Sequence, residues 1–280
     1  MKKQIVSACA LIASVAAFAT SVTSANTFGV LKVTSTATDE AAAQLIIPVP
    51  WENVGASTGM IDPTAYVLAT NRKKGDALFY YNPALKTYMV WEMSDDGDKS
   101  GEWTAKSTYS VGENENIVIV DAEGSFSRGQ AIILSLTAGS VDDVFLSGQY
   151  TGTQVATALT APSPNAHSYW KTFTLIAPSV VNDIDLNSEQ SYFYRDSGCT
   201  TPVTESDISG DQIVLADGTT YYCEFSGGKL SWYKLVEATE EPKVMSHNTD
   251  NIKLLKGQGA WYVRSVHSAE NAAQTIYVKW

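Results

Sequence analysis

The sequence predicts an all-β fold: two tandem, related sandwich- or barrel-like domains with little helix, arising from an internal duplication. Three observations carry that expectation. Gly75–Trp103 (GDALFYYNPALKTYMVWEMSDDGDKSGEW) reads as a three-strand meander broken by Asn-Pro and Ser/Asp/Gly turns. A weaker copy lies at Gly210–Trp232 (GDQIVLADGTTYYCEFSGGKLSW). No stretch sustains the 3.6-residue apolar stripe of an amphipathic helix.

The copies keep their order at a nearly constant spacing, the signature of a repeated unit. Gly75-Asp76 matches Gly210-Asp211 at an offset of 135; Glu92 and Ser94 match Glu224 and Ser226 at 132. Trp103 matches Trp232 at 129, and Pro48 matches Pro178 at 130. Arg128-Gly129-Gln130-Ala131 matches Lys256-Gly257-Gln258-Gly259 at 128. A unit of about 130 residues is the size of one domain. Chance likeness between β-rich segments is the competing explanation.

In chain order, residues 1–25 read as a secretory signal: Lys2-Lys3, an apolar run from Ile5 to Phe18, then Val22-Thr23-Ser24-Ala25. Val6-Ser7-Ala8-Cys9 also resembles a lipobox, but the apolar run before Cys9 is too short. β-domain 1 is expected over 26–140 and β-domain 2 over 141–280. Phe28–Thr34 alternates as a first strand, and Gln44–Trp51 (QLIIPVPW) is a strand that its prolines confine to an edge or an end. Asp62-Pro63 offers a helix start over Thr64–Ala69. After the meander, Asn116–Asp121 (NIVIVD) reads as a strand buried on both faces, and Gly129–Leu136 as another. Thr137–Asp143, small and acidic, reads as the inter-domain boundary. Val144–Tyr150 opens the second domain, Trp170–Ala177 is a strand, and Val236–Lys243 is an acidic loop. Ile252–Leu255, Ala260–Val266 and Thr275–Trp280 close the chain.

Without Lys2 and Lys3, the 19 Lys and Arg fall to 17 against 30 Asp and Glu, a net charge of −13. That balance repels phosphate backbones and argues against nucleic acid as a partner. No later stretch approaches the roughly 18–20 apolar residues of a spanning helix, so no transmembrane helix is expected in the mature chain. Cys199 and Cys223 remain after signal removal. In an exported chain they are expected to form a disulfide, worth about 3 kcal/mol, that staples an insertion around Cys199 to the second meander.

Candidate chemistry is sparse. Gly55–Gly59 fits G-x-S-x-G around Ser57 but lacks the strand-to-helix setting of a nucleophile elbow, so it reads as a loop. Asp96, Asp98 and Ser100, followed by Gly101, resemble the first half of a calcium loop. Position 12 is Ser107 rather than Glu, and strands flank it, so a solvated turn is the plainer reading. No other cofactor is suggested. His167, His247 and His267 lie in separate polar segments. Trp51, Trp103, Trp170 and Trp232 could stack on a sugar, although a strand tryptophan more commonly packs in a core. Trp280 ends an alternating strand, as in outer-membrane barrels, yet the strands are short and proline-interrupted.

The segments NTFGVLKVTS, IIPVPW, KKGDALFYYN, RGQAIIL, FLSGQYTG, FTLIAPS and KGQGAWYV together resemble an uncharacterised family of exported, internally duplicated β-rich proteins of environmental and gut bacteria. The resemblance implies export and a β-rich fold, and no activity or ligand. The expectation is an exported (extracellular, cell-surface or periplasmic), non-enzymatic protein with a structural or adhesive role. Its partners would be glycans or other surface proteins. The alternatives are a carbohydrate-binding module, a secreted hydrolase and an outer-membrane β-barrel.

Overall fold

The computed structural model describes residues 27–49, 60–61, 67–68, 71–82, 87–94, 101–111, 117–121, 126–127, 129–150, 154–159, 171–178, 182–188, 192–237, 245–265 and 274–280. The first part of the chain contributes β1 (Thr27–Val33), β2 (Ala43–Pro48), β3 (Met60–Ile61), β4 (Ala77–Asn82), β5 (Thr87–Ser94), β6 (Glu102–Val111), β7 (Ile117–Asp121), β8 (Phe126–Ser127), β9 (Ala131–Leu136) and β10 (Val144–Tyr150). β11 (Ala156–Leu159), β12 (Lys171–Ile176), β13 (Ile184–Asp185) and β14 (Phe193–Tyr194) follow, then a one-turn helix, α1 (Glu205–Ile208). β15 (Gln212–Val214), β16 (Thr220–Ser226), β17 (Lys229–Glu237), β18 (Met245–Asn248), β19 (Lys253–Leu254), β20 (Ala260–Ser265) and β21 (Ile276–Lys279) complete the chain. The fold is all-β, as the turn-punctuated alternation predicts.

Two six-stranded antiparallel sheets dominate, ordered β2-β9-β4-β5-β6-β7 and β12-β20-β15-β16-β17-β18. Numbered from its own first strand, each sheet has the order 1-6-2-3-4-5. The small pairings recur too: β1 with β10 and β11 with β21, β3 with β8 and β13 with β19. β14, which adds to β21, is the described strand without a counterpart, and it lies beside the segment carrying Cys199.

Pairing register separates the sequence matches that share a place from those that do not. Trp103 lies opposite Met93, and Trp232 opposite Cys223, so the two tryptophans hold one position. Glu92 lies opposite Ala77, and the corresponding pair is Tyr222 with Gln212, so Glu92 matches Tyr222 and not Glu224.

Each large sheet buries one face. The first core gathers Leu45, Ile47, Leu78, Trp91, Met93 and Trp103 with Leu31, Val144 and Leu146 from the β1–β10 ribbon. The second gathers Phe193, Ile213, Cys223, Trp232, Tyr262 and Trp280. β10 therefore belongs to the first core and does not open the second. Residues 137–143 are not a free linker either: Thr137 and Ser140 bind Asp76, and Arg72 donates to the carbonyls of Asp142 and Asp143. By strand pairing the first unit runs to Tyr150, ten residues past the expected boundary at 140. The helix expected over 64–69 falls mostly outside the described residues, and Val67 within it makes a bridge to Leu146.

The halves meet through matched strand ends. The Ala177 N–H donates to the Gly129 carbonyl at 3.4 Å, and the Gly259 N–H to the Ile46 carbonyl at 2.7 Å. Ile46, Ala131, Leu175 and Ala177 form a small core there, flanked by Tyr81, Ile133 and Trp261. By register Ile46 corresponds to Leu175, Ala131 to Gly259 and Ile133 to Trp261, so the junction is self-complementary in the manner of a two-fold interface. The two Gly-Gln motifs thus lie at this seam. A Cβ at Gly259 would sit 2.8 Å from Ile46 Cγ2, 2.9 Å from Ala131 Cβ and 3.1 Å from the Ile176 carbonyl. Gly259→Ala is accordingly expected to lower stability by about 1–3 kcal/mol by overpacking. Urea melts followed separately in each half should show the loss of coupling; an unchanged midpoint would contradict the tight seam.

Candidate functional site: buried aspartates and a row of rings

The residues singled out from the sequence fall into three groups. Trp103 and Trp232 point inward, 8% and 0% exposed, which is core packing and excludes them from stacking on a sugar. Trp103 donates its indole N–H to the Val67 carbonyl at 2.8 Å. Trp232 packs on Phe193 at 5.5 Å and Tyr262 at 6.2 Å. Both occupy inward positions of an alternating strand, where their area is worth most. Trp280 is also buried, against Tyr192 and Phe193.

Cys199 and Cys223 are both free thiols, which corrects the expected disulfide. Cys223 faces the second core, where burial raises its thiol pKa well above the ordinary range. Cys199 sits half-buried with φ 55° in a turn held by Asp196, which accepts from the Thr200 and Thr201 N–H groups. The inward face of β16 and this outer turn hold the two sulfurs apart. Trp51, Ser57, Trp170, His167, His267 and the calcium candidates Asp96, Asp98 and Ser100 lie outside the described residues. Among the described residues, no His/Cys/Asp/Glu group could hold a metal ion, and no helix is long and apolar enough to cross a membrane.

The repeated Gly-Asp motif has a structural basis that sequence reading missed. Gly75 and Gly210 adopt φ 86° and 83°, where a Cβ would be strained. Each turn drops its aspartate into the core with no exposure. The surrounding pattern is the same: Gly75 N–H to the Met93 carbonyl and Met93 N–H to the Asp76 carbonyl, Gly210 N–H to the Cys223 carbonyl and Cys223 N–H to the Asp211 carbonyl. Each carboxylate also has a buried arginine near it, Arg72 at 3.9 Å from Asp76 and Arg264 at 3.6 Å from Asp211. Asp76 accepts four donors: the Lys73 and Thr137 N–H groups and the Thr137 and Ser140 hydroxyls. These are anchoring centres sealed from solvent.

The accessible chemistry lies on the other face of the second sheet. Tyr222 on β16 and Tyr233 on β17 are directly paired and stack at 5.7 Å with 24° between planes. His247 on β18 continues the row at 4.0 Å and 16°. Its Nδ1 lies 3.4 Å from Glu224 Oε2, both side chains about half exposed. Burial is the first cause raising the Tyr233 hydroxyl pKa, with Glu224 next, so it stays protonated and able to donate at neutral pH. Further along the sheet, Phe173, 56% exposed, meets Trp261 edge-on at 6.4 Å. The first sheet has Glu92 and Thr104 where the second has Tyr222 and Tyr233. Alternation alone could have placed Tyr222 and Tyr233 outward once Trp232 was placed inward.

The chain matches no known protein family, no curated protein and no solved structure.

Proposed function

We propose that this chain is an exported, non-enzymatic β-protein with a structural or adhesive role, built from a duplicated unit whose second copy has gained a binding face. The row Tyr222–Tyr233–His247 carries this reading, because its two tyrosines occupy positions that are Glu92 and Thr104 in the otherwise repeated frame. Tyrosines suit a contact surface: large, stiff rings with a polar tip give contact area at small entropic cost. Export rests on the N-terminal sequence, with mature protein starting near Asn26.

A second reading, that the face binds carbohydrate, is favoured by the exposed Phe173 beside Trp261, with the amide of Gln212 and the carboxylate of Glu224 on the same face for hydroxyl recognition. Both readings can be tested with one variant. Replacing Tyr222 and Tyr233 together by Ala should reduce retention on whole cells or insoluble polysaccharides at least tenfold. The melting curve should move little, since both rings lie outside the cores. Retention on polysaccharide alone would select the carbohydrate reading; undiminished retention on every surface would remove the ring row from the account. N-terminal sequencing of secreted material tests export independently.

A further inference from the structure

Asp76 and Asp211 hold the same place in the two halves, yet their surroundings differ. Among the described residues Asp76 has four donors, whereas Asp211 has two: the Tyr262 hydroxyl at 2.9 Å and the Ser265 N–H at 2.9 Å. The Arg264 guanidinium beside Asp211 is largely committed elsewhere. It donates to the Leu159 carbonyl of β11 at 3.4 Å, to the Asp207 carbonyl of α1 at 3.0 Å, and to the Gln274 carbonyl just before β21. Its Nε has no hydrogen-bond partner among the described residues. Arg264 therefore knots three elements together, and Asp211 is the carboxyl nearest that knot.

The other titratable groups facing Asp211 leave it as the labile one. From β20 come Tyr262 and Arg264, and from β16 the Cys223 thiol. Burial raises the pKa values of both Tyr262 and Cys223, so neither ionises near neutrality. From α1 comes Asp207, which is turned to Arg195 at 2.7 Å. Glu224 lies on the opposite face of β16.

We propose that Asp211 and Arg264 form a proton-linked latch: the folded second half carries a proton on Asp211 in mild acid, and its release on approaching neutral pH loosens the corner where α1, β11 and β21 meet. Two donors and a guanidinium 3.6 Å away that is shared with three carbonyls do not offset the loss of water around a buried carboxylate. Burial raises the Asp211 pKa from 3.8 to about 7, against the Ser265 N–H, Arg264 and Tyr262, which lower it. Between those values the unfolded chain has released the proton and the folded chain has not. This group's contribution to stability is therefore full in acid, falls as pH rises to about 7, and is flat beyond.

The full chain is to be titrated with ¹³C-labelled aspartate by NMR, and hydrogen exchange of the Cys223 and Ser265 amides followed from pH 5.5 to 8. The expected results are an Asp211 midpoint near 7 and protection factors falling about tenfold per pH unit up to that midpoint. Asp211→Asn should remove the pH dependence, and Asp76→Asn should leave that of the second half in place. A wild-type midpoint at or below 5, or the same pH dependence in Asp211→Asn, would overturn the latch. If Asp211→Asn does not fold, the wild-type titration decides the matter alone.

Discussion

Trp232→Ala is expected to unfold the second half at room temperature or leave it within about 1–2 kcal/mol of doing so. The side chain has no exposure and contacts Phe193 and Tyr262, which in turn meet each other at 5.7 Å. Removing such a ring costs about 3–5 kcal/mol, a large part of the 5–15 kcal/mol that ordinary domains have. A paired comparison shows which part of the loss is packing. Among the described residues the Trp232 indole N–H has no hydrogen-bond partner, whereas that of Trp103 donates to the Val67 carbonyl. Trp232→Phe should therefore be mild, and Trp103→Phe should cost about 1–3 kcal/mol more than the volume change implies, through the carbonyl left unpaired. Denaturant titrations of the three single variants would test this. Equal losses for the two Phe variants would show that packing alone sets the cost.

Asp76→Asn should destabilise the first half by about 3–5 kcal/mol, although it changes one oxygen into an NH2. Four donors converge on two carboxylate oxygens, one oxygen taking the Thr137 N–H and hydroxyl and the other the Lys73 N–H and the Ser140 hydroxyl. An amide has only one acceptor atom, so two donors would confront its N–H groups. The Arg72 side chain, wholly buried 3.9 Å away, would lose the carboxylate that acts on it most strongly. Burial already lowers the Arg72 pKa, with Asp76, Asp142 and Asp143 opposing that shift. The effect should spread to residues 137–143, which this carboxylate holds, and appear as fast proteolysis there. A variant with native melting and an intact 137–143 segment would show that the site is not an anchor.

Much of the frame was legible in the sequence because turns declare themselves locally. Asn-Pro after β4, the glycines at 210 and 218 and the Gly227-Gly228 pair set the hairpins within a residue or two of where they lie. What stayed hidden depends on contacts between distant residues. Nothing local shows that β10 returns to β1 across more than a hundred residues, so a small, acidic segment passed for a linker. An aspartate after glycine looks like a solvated turn residue until the donors from 137–140 are in place around it. Trp103 and Trp232 lie in the core, as the ordinary preference of a strand tryptophan favours, although a hairpin is read without its sidedness. The ring row was missed because tyrosine and histidine attract less notice than tryptophan, although Tyr222 and Tyr233 alternate strictly with Cys223 and Trp232. The cysteines misled for a simpler reason: a pair in an exported chain suggests a bond, but Cys223 faces the core.

The ribbon of β1 and β10 sets how the molecule meets mechanical load. Thr27 is paired with Tyr150, so the leading end of β1 and the point where the chain departs for the second half lie at the same end of the ribbon. Tension between the residues ahead of Thr27 and the second half opens that ribbon rung by rung, as a zipper, rather than shearing all its rungs together. Leu31 opposite Leu146 is the fifth rung from that end, so a pulled molecule uncovers the first core only after four rungs have parted.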